Sequence, residues 1–285
     1  ISSMLAFSVS ALGVPVLSQA IASSSVLRTI DNLTPPPVKS SLAELRAIVI
    51  QEGIPRIISA AGGNASPTAP PAPAPNVDTS TKALQTAARS VVKVTGNAYQ
   101  CGQNQSGSGF VVSKDRVITN AHVVAGVSEP VVEVPGVGAQ PGRVVYFDPK
   151  NDLAVVAVGG LGAAPIPLTA TLAVGSSAVF DGYPLGGPFQ SGPARVDQVT
   201  TVRAKDIYGS NPHDIQVYEL AANVQEGNSG GPLLSTAGRV AGVIFAKSAD
   251  TSGVGYALTM EELLPVANNA ESYSSSVSSG QCIRH

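Results

Sequence analysis

Hydrophobic and polar positions divide the chain into three stretches of different rhythm. Residues 1 to 27 carry no charge. The apolar part from Ile1 to Ala22 is long enough, at about 1.5 Å per residue, to cross a bilayer core of roughly 30 Å. It is Ser-rich, and Pro15 would kink it. The stretch fits the end of a membrane anchor, or else a signal-peptide core or a buried helix. No Lys/Arg region precedes it, which disfavours the signal peptide, and we read it as the last part of an anchor that begins upstream of Ile1. Residues 28 to 64 form a juxtamembrane segment in which Pro35, Pro36 and Pro37 interrupt the chain. After them Leu42, Leu45, Ile48 and Val49 recur at helical spacing behind Ser40 or Ser41 as N-cap, predicting one short amphipathic helix. Residues 65 to 81 open with ASPTAPPAPAPNVD, which favours extended polyproline backbone and cannot build a core. This is a semi-rigid spacer; an SH3-ligand role rests on composition alone.

From residue 82 the pattern changes to short Val- and Ile-rich runs bounded by Gly, Pro, Asn and Asp: SVVKV, GSGFVVS, RVITN, VVEV, GRVVYF, DLAVVAV, SAVFDGY, ARVDQVTTV, IQVYEL, GPLLS, RVAGVIF and GYALT. Their spacing predicts an all-β barrel or sandwich, and twelve such runs are enough for two six-stranded barrels. Short helices are predicted at residues 82 to 90 and 260 to 268. With 44% hydrophobic and 13% charged residues the chain is not disordered throughout. A net charge of −2 leaves no basic excess for nucleic acid. The two cysteines, Cys101 and Cys282, form no CxxC pair or Cys/His cluster, so no metal site is expected.

Chemistry first shows in QEGNSGGPLL, residues 225 to 234. A serine between glycines sits on a tight turn whose backbone N–H groups converge on one point, as an oxyanion requires; Gly227 and Ser229 would supply them. Such a nucleophile needs a base, and the chain has three histidines. His285 is terminal and His213 lies in SNPHD, a turn signature. His122, in RVITNAHVV, follows a predicted strand and is the candidate with a rigid element behind it. A carboxylate must hold the other ring nitrogen. Asp115, Asp148, Asp152, Asp181, Asp197, Asp206 and Asp214 are available. Asp152 is favoured because it opens the apolar run LAVVAV, where a buried carboxylate requires a partner. Asp148 is the fallback, its plainer role being a turn residue before Pro149. The N-x-S/T matches at Asn32, Asn64 and Asn104 are read as chance.

TNAHVV with His122, NDLAVVAV with Asp152 and GNSGGP with Ser229, in the order His, Asp, Ser, resemble the motifs of trypsin-like serine proteases, and most those of the bacterial HtrA-type branch. The likeness covers about residues 85 to 268 and implies two perpendicular six-stranded antiparallel β-barrels of the chymotrypsin fold, with the active site between them. HtrA proteins normally carry PDZ domains after the protease, and only about 17 residues follow Asn268 here. An anchored start, a Pro-rich spacer, a protease without PDZ and a cysteine on each side resemble the actinobacterial membrane-anchored periplasmic acid-resistance proteases of the MarP type.

That resemblance implies a first barrel over 82–167, a second over 168–270 and a Ser-rich tail over 271–285. It also implies a Cys101–Cys282 disulfide and an oxidising compartment outside the cytoplasm. The implied activity is that of a serine endopeptidase, with no cofactor, acting on polypeptides of the cell envelope in acid or stress tolerance, tethered to the membrane and without a nucleic-acid partner. The strand Ile244 to Lys247, with Ile244, Phe245 and Ala246 as substrate-binding residues, would pair with the substrate backbone, and Asn223, Phe245 and Tyr256 would shape the P1 pocket. Asn223, six residues before Ser229, offers no acid for a basic P1 side chain, so a small or apolar P1 is expected. Two rival readings are a protease-like binding protein without turnover and a cell-wall docking module. The presence of all three catalytic residue types stands against both.

Overall fold

The computed structural model describes residues 56–57 (backbone only), 75–248 and 251–283, so the anchor, the amphipathic helix and most of the spacer lie outside the described residues. Twelve strands form two six-membered rings. In the first, β2 (Val91–Ala98), β3 (Gln103–Ser113), β4 (Arg116–Thr119), β7 (Leu153–Val158), β6 (Gly138–Asp148) and β5 (Val131–Val134) follow one another, and β5 closes on β2. In the second, β12 (Val240–Ser248), β11 (Pro232–Ser235), β8 (Ser177–Gly182), β9 (Gln190–Ala204), β10 (His213–Ala221) and β13 (Val254–Leu258) do the same, and β13 pairs with β12. Closure leaves few exposed edges. One remains on β12, where the backbone of Arg56–Ile57 (β1) runs parallel to Lys247–Ser248.

β7 shows why LAVVAV is apolar at every position rather than at alternate ones. Ala154, Val156 and Val158 fill the first barrel, while Leu153, Val155 and Ala157 join a second cluster that continues through the other barrel. A strand covered on both faces reads as a continuous hydrophobic run. Phe110 and Ile118 point the same way as Leu153, so one core spans the junction of the two barrels.

Among the described residues three α-helices accompany the barrels: α1 (Lys82–Ala88), α2 (Ala121–Val124) and α3 (Met260–Ala267). Thr81 and Thr259 cap α1 and α3. Glu261 and Glu262 sit in the first turn of α3, where the helix dipole favours negative charge, and the Glu262 carboxylate also accepts from Gln216 N–H at 2.9 Å. Among the described residues no helix is long and apolar enough to cross a membrane.

The tail returns to the first barrel and is tied down by more than its cysteine. Arg116 Nε donates to the carbonyls of Ala270 and Tyr273 at 3.1 and 3.0 Å. Tyr273 stacks on Tyr146 with ring centroids 4.8 Å apart, and Ser279 Oγ donates to the Val127 carbonyl at 2.7 Å. Cys282 then bonds Cys101, 181 positions earlier. The apolar rhythm of the sequence is silent about these contacts, because they use backbone carbonyls and one stacked ring pair rather than a periodic apolar face.

Candidate active site

Strand β4 ends at Thr119, and Asn120 turns the chain into α2, which carries His122. A helix start leaves orphan N–H groups, and here a carboxylate from the next hairpin takes one of them. Asp152 Oδ1 accepts from the His122 backbone N–H at 2.9 Å, and Oδ2 lies 2.7 Å from His122 Nδ1. With Nδ1–H donating, Nε2 is the ring's basic nitrogen. Asn120 Nδ2 fixes the far side by donating to the Asp152 carbonyl at 2.8 Å. Both side chains of the pair are only 10% exposed. Asp152 adopts φ 54°, a left-handed backbone that Asp tolerates better than most residues and that turns its carboxylate back toward α2 just before β7 begins. Asp148 instead accepts from the Lys150 and Asn151 N–H groups at 2.9 and 3.1 Å and stays with its own turn.

The Ser229 loop is built from peptide planes with assigned directions. Four consecutive carbonyls are held: Glu226 by Leu185 N–H at 2.6 Å, Gly227 by Ser108 Oγ at 2.6 Å, Asn228 by Gly231 N–H at 2.9 Å and Ser229 by Ser108 N–H at 2.8 Å. In a trans peptide the C=O and the following N–H point opposite ways. Holding the carbonyls of 226 and 228 therefore aims the N–H groups of Gly227 and Ser229 away from those partners. Among the described residues no backbone carbonyl takes either of these two N–H groups. Gly227 has φ 86°, and a side chain there would overlap the Tyr183 carbonyl, so the position demands glycine. Ser229 is 2% exposed, and its Oγ has no hydrogen-bond partner among the described residues.

This loop packs on the corner that carries His122. A side chain at Gly107 would meet the Val123 methyls at 2.6 Å and the Ser229 carbonyl at 3.1 Å, and one at Gly230 would come within 3.0 Å of Asn120 N. Ser229 thus lies beside the first turn of α2, with His122 and Asp152 supplied by the first barrel and Ser229 by the second.

Of the expected specificity residues, Ile244, Phe245, Ala246 and Tyr256 are buried beside the loop and Asn223 is exposed. Ile244 uses its own N–H and C=O on Gly231 and Gly230, at 2.9 and 2.8 Å. A bulge between Ile244 and Ala246 then turns the strand, so the edge past the loop starts at Phe245 and reaches Lys247, where β1 sits. Lys247 Nζ lies 3.6 Å from Glu226, three residues before Ser229. His213 opens β10 rather than lying in a turn, and its Nδ1 lies 3.1 Å from the Asn211 carbonyl; His285 lies outside the described residues. The turn falls just upstream, where Asp206 accepts from the N–H groups of Tyr208 and Ser210 at 3.0 and 2.8 Å. Among the described residues no group of His, Cys, Asp and Glu could hold a metal ion.

Three features escaped the sequence reading. They are the Ser108 hydroxyl, the Glu226–Lys247 pair and the burial of Asp181, which the sequence offers only as one possible partner for His122 and which is 1% exposed under the loop. Burial lifts the Asp181 carboxyl to about 6, and the Ser191 side chain offsets this only in part. Neither oxygen makes a hydrogen bond of good geometry among the described residues. A charged residue in the β-run SAVFDGY was the one available signal.

These elements define a class. The chain belongs to the trypsin-like peptidase family, whose domain profile matches residues 107–243. In particular, it is similar to the Rv3671c protease of Mycobacterium tuberculosis. The crystal structure of that protease's active form superposes with a TM-score of 0.73 at 34% identity, over 78% of this chain and 98% of that one. The serine protease Rv3671c itself is 35% identical over 251 residues, 87% of this chain and 62% of that protein, so the chain spans about 62% of that relative's length. A probable periplasmic serine endoprotease, DegP-like, of Ectopseudomonas mendocina is 33% identical over 170 residues, 56% of this chain and 34% of that protein.

Proposed function

We propose that the chain is a serine endopeptidase that hydrolyses polypeptides through an acyl-enzyme, with Ser229, His122 and Asp152 as its triad. The observation that carries this reading is the Asp152 carboxylate divided between the backbone and the ring of His122, beside a serine loop with two uncommitted N–H groups. His122 Nε2 takes the Ser229 proton as Oγ attacks the scissile carbonyl, and the oxygen of the tetrahedral intermediate settles on the Gly227 and Ser229 N–H groups. The imidazolium, stabilised by Asp152, protonates the leaving amine. Water then attacks the acyl-enzyme by the same steps in reverse order, giving up its proton to His122 and releasing Ser229. The Ser229–His122 hydrogen bond, not made in the free chain, forms when substrate fills the groove, since catalytic contacts often close only in the bound enzyme.

A substrate strand pairs with β12 from Phe245 to Lys247, replacing Arg56–Ile57 where the two overlap. The exposed Asn223 offers no acid for a basic P1 group, which leaves a small or apolar P1 preferred. The disulfide supports a place outside the cytoplasm, with cell-envelope proteins as substrates and residues 1 to 27 as the tether. A part in acid and stress tolerance belongs to the same reading, on the strength of the MarP-type resemblance.

A fluorophosphonate probe tests the chemistry. Covalent labelling of the wild-type chain that vanishes in Ser229→Ala is the expected result. A wild-type chain left unlabelled at millimolar probe overturns the proposal in favour of an inert protease-like scaffold.

A further inference from the structure

We infer that Ser108 of the first barrel is a positioning residue for catalysis: its hydroxyl holds the oxyanion-binding loop of the second barrel in its working conformation. This rests on the peptidase reading above and adds a residue that the triad motifs do not contain.

Ser108 lies in β3 and is fully buried, at 0% exposure. A hydroxyl in that setting must both donate and accept or leave a costly unmet group. It does both across the junction of the barrels. Oγ–H donates to the Gly227 carbonyl at 2.6 Å, and Oγ accepts from the Tyr183 N–H at 2.9 Å. The backbone of the same residue grips the loop a second time, through Ser108 N–H to the Ser229 carbonyl at 2.8 Å. Its carbonyl is in turn steadied by Thr119 Oγ1 at 2.7 Å, at the end of the strand that leads to His122. Room is kept for the hydroxyl: a side chain at Gly182 would come within 2.7 Å of Ser108 Oγ.

The consequence follows from the peptide planes. With Gly227 free of side-chain restraint, three contacts set how the planes on either side of its Cα lie. Leu185 N–H holds the 226–227 plane by the Glu226 carbonyl, while Ser108 Oγ on the Gly227 carbonyl and Asn228 N–H on the Gln225 carbonyl, at 3.0 Å, hold the 227–228 plane. Removing the hydroxyl loosens the second plane at the residue whose backbone can rotate most freely, and it also releases the Tyr183 N–H, two residues before the Leu185 that holds the first plane. The Gly227 N–H, carried by the first plane, then loses its fixed aim at the place where negative charge develops. A loss of aim affects the transition state more than substrate binding, so it should appear in kcat.

The experiment compares Ser108→Ala, Ser108→Cys and Leu263→Ala. The last is a cavity variant in α3, fully buried and in none of the loop's hydrogen bonds, that controls for loss of stability. Ser108→Ala is expected to lower kcat by roughly ten- to a hundredfold, short of the 10²–10³ lost with an oxyanion donor itself, with KM within about twofold. Affinity for a peptide boronate, which forms a tetrahedral anion on Ser229, should fall in the same ratio. Affinity for a substrate peptide, measured in a Ser229→Ala background, should not change. Ser108→Cys keeps a weak donor and should fall between wild type and Ser108→Ala; it also carries the comparison if the alanine variant does not fold. Full kcat in a folded Ser108→Ala, or an equal loss in Leu263→Ala, overturns the assignment. So does a rise in KM with kcat unchanged. A wild-type chain unreactive toward the boronate and the fluorophosphonate overturns the peptidase reading together with this one, whereas a reactive wild type with an indifferent Ser108→Ala overturns this one alone.

Discussion

The two halves of the site are held in opposite ways. The His122–Asp152 corner is self-sufficient: its ring, its backbone N–H and the Asp152 carbonyl all find partners within one barrel. The Ser229 loop has left-handed glycines at 227 and 230, a nucleophilic oxygen without a hydrogen bond among the described residues, and two carbonyls held by Ser108 of the other barrel. The proposed base is thus held by contacts within its own barrel, while the proposed oxyanion side depends on how the barrels meet. Damage to the corner should therefore act on one proton transfer, and damage to the loop on the geometry of a whole turn.

The largest effect should come from the self-sufficient side. Asp152→Asn offers an amide where the ring needs an anion, favours the wrong tautomer and should cut kcat by about 10⁴, the scale found for such triads. Steady-state peptide hydrolysis measures it, and a loss below tenfold would mean that another carboxylate orients His122. On the loop, Gly227→Ala must place a side chain at φ 86° against the Tyr183 carbonyl, so kcat should fall about 10²–10³. Unchanged turnover would show that this N–H does not face the reaction.

Two further variants separate the stability of the halves. Replacing Cys101 and Cys282 by serine should cost about 2–4 kcal/mol in denaturant titrations, with kcat within about twofold. The tail keeps its bonds from Arg116, Ser279 and the stacked Tyr273, which hold the His122 side together. The smallest effect belongs to Asp181, which lies under the Ser229 loop with its carbonyl against Gly231. Its folded pKa of about 6 lies above the ordinary 3.8, so the folded state keeps the proton longer than the unfolded chain does. This carboxyl therefore penalises folding least below about pH 4, and increasingly as pH climbs from there to about 6, by on the order of 2–3 kcal/mol in all. Asp181→Asn should raise the melting temperature at pH 7 and leave it nearly unchanged at pH 4. An equal shift at both values would show that the group does not titrate in this range.

The barrels were legible, and the three residues proposed as the triad could be picked out, because each left a local mark. Continuous apolar runs mark strands covered on both faces, and His122, Asp152 and Ser229 each sit at a strand end or tight turn with distinctive neighbours. Ser108 left no such mark. SGSG offers two serines, and what distinguishes one of them lies 119 positions downstream in sequence. The tail was legible only at its cysteine, since its other holds are backbone carbonyls that any sequence provides and one ring stack between distant tyrosines. Ile244 shows a third kind of gap. Strand pattern places it on the groove edge, but the bulge beside it commits its polar groups to Gly230 and Gly231.

The Cys101–Cys282 bond has a consequence for how the chain responds to proteolytic cleavage. It joins a point in the first barrel to a point beyond the second, so the intervening backbone is a covalent ring. One cut in any surface loop of that ring opens it without releasing a piece. Removal of a piece by trimming then requires two cuts, or one cut together with a reductant, so a first nick leaves both barrels covalently joined.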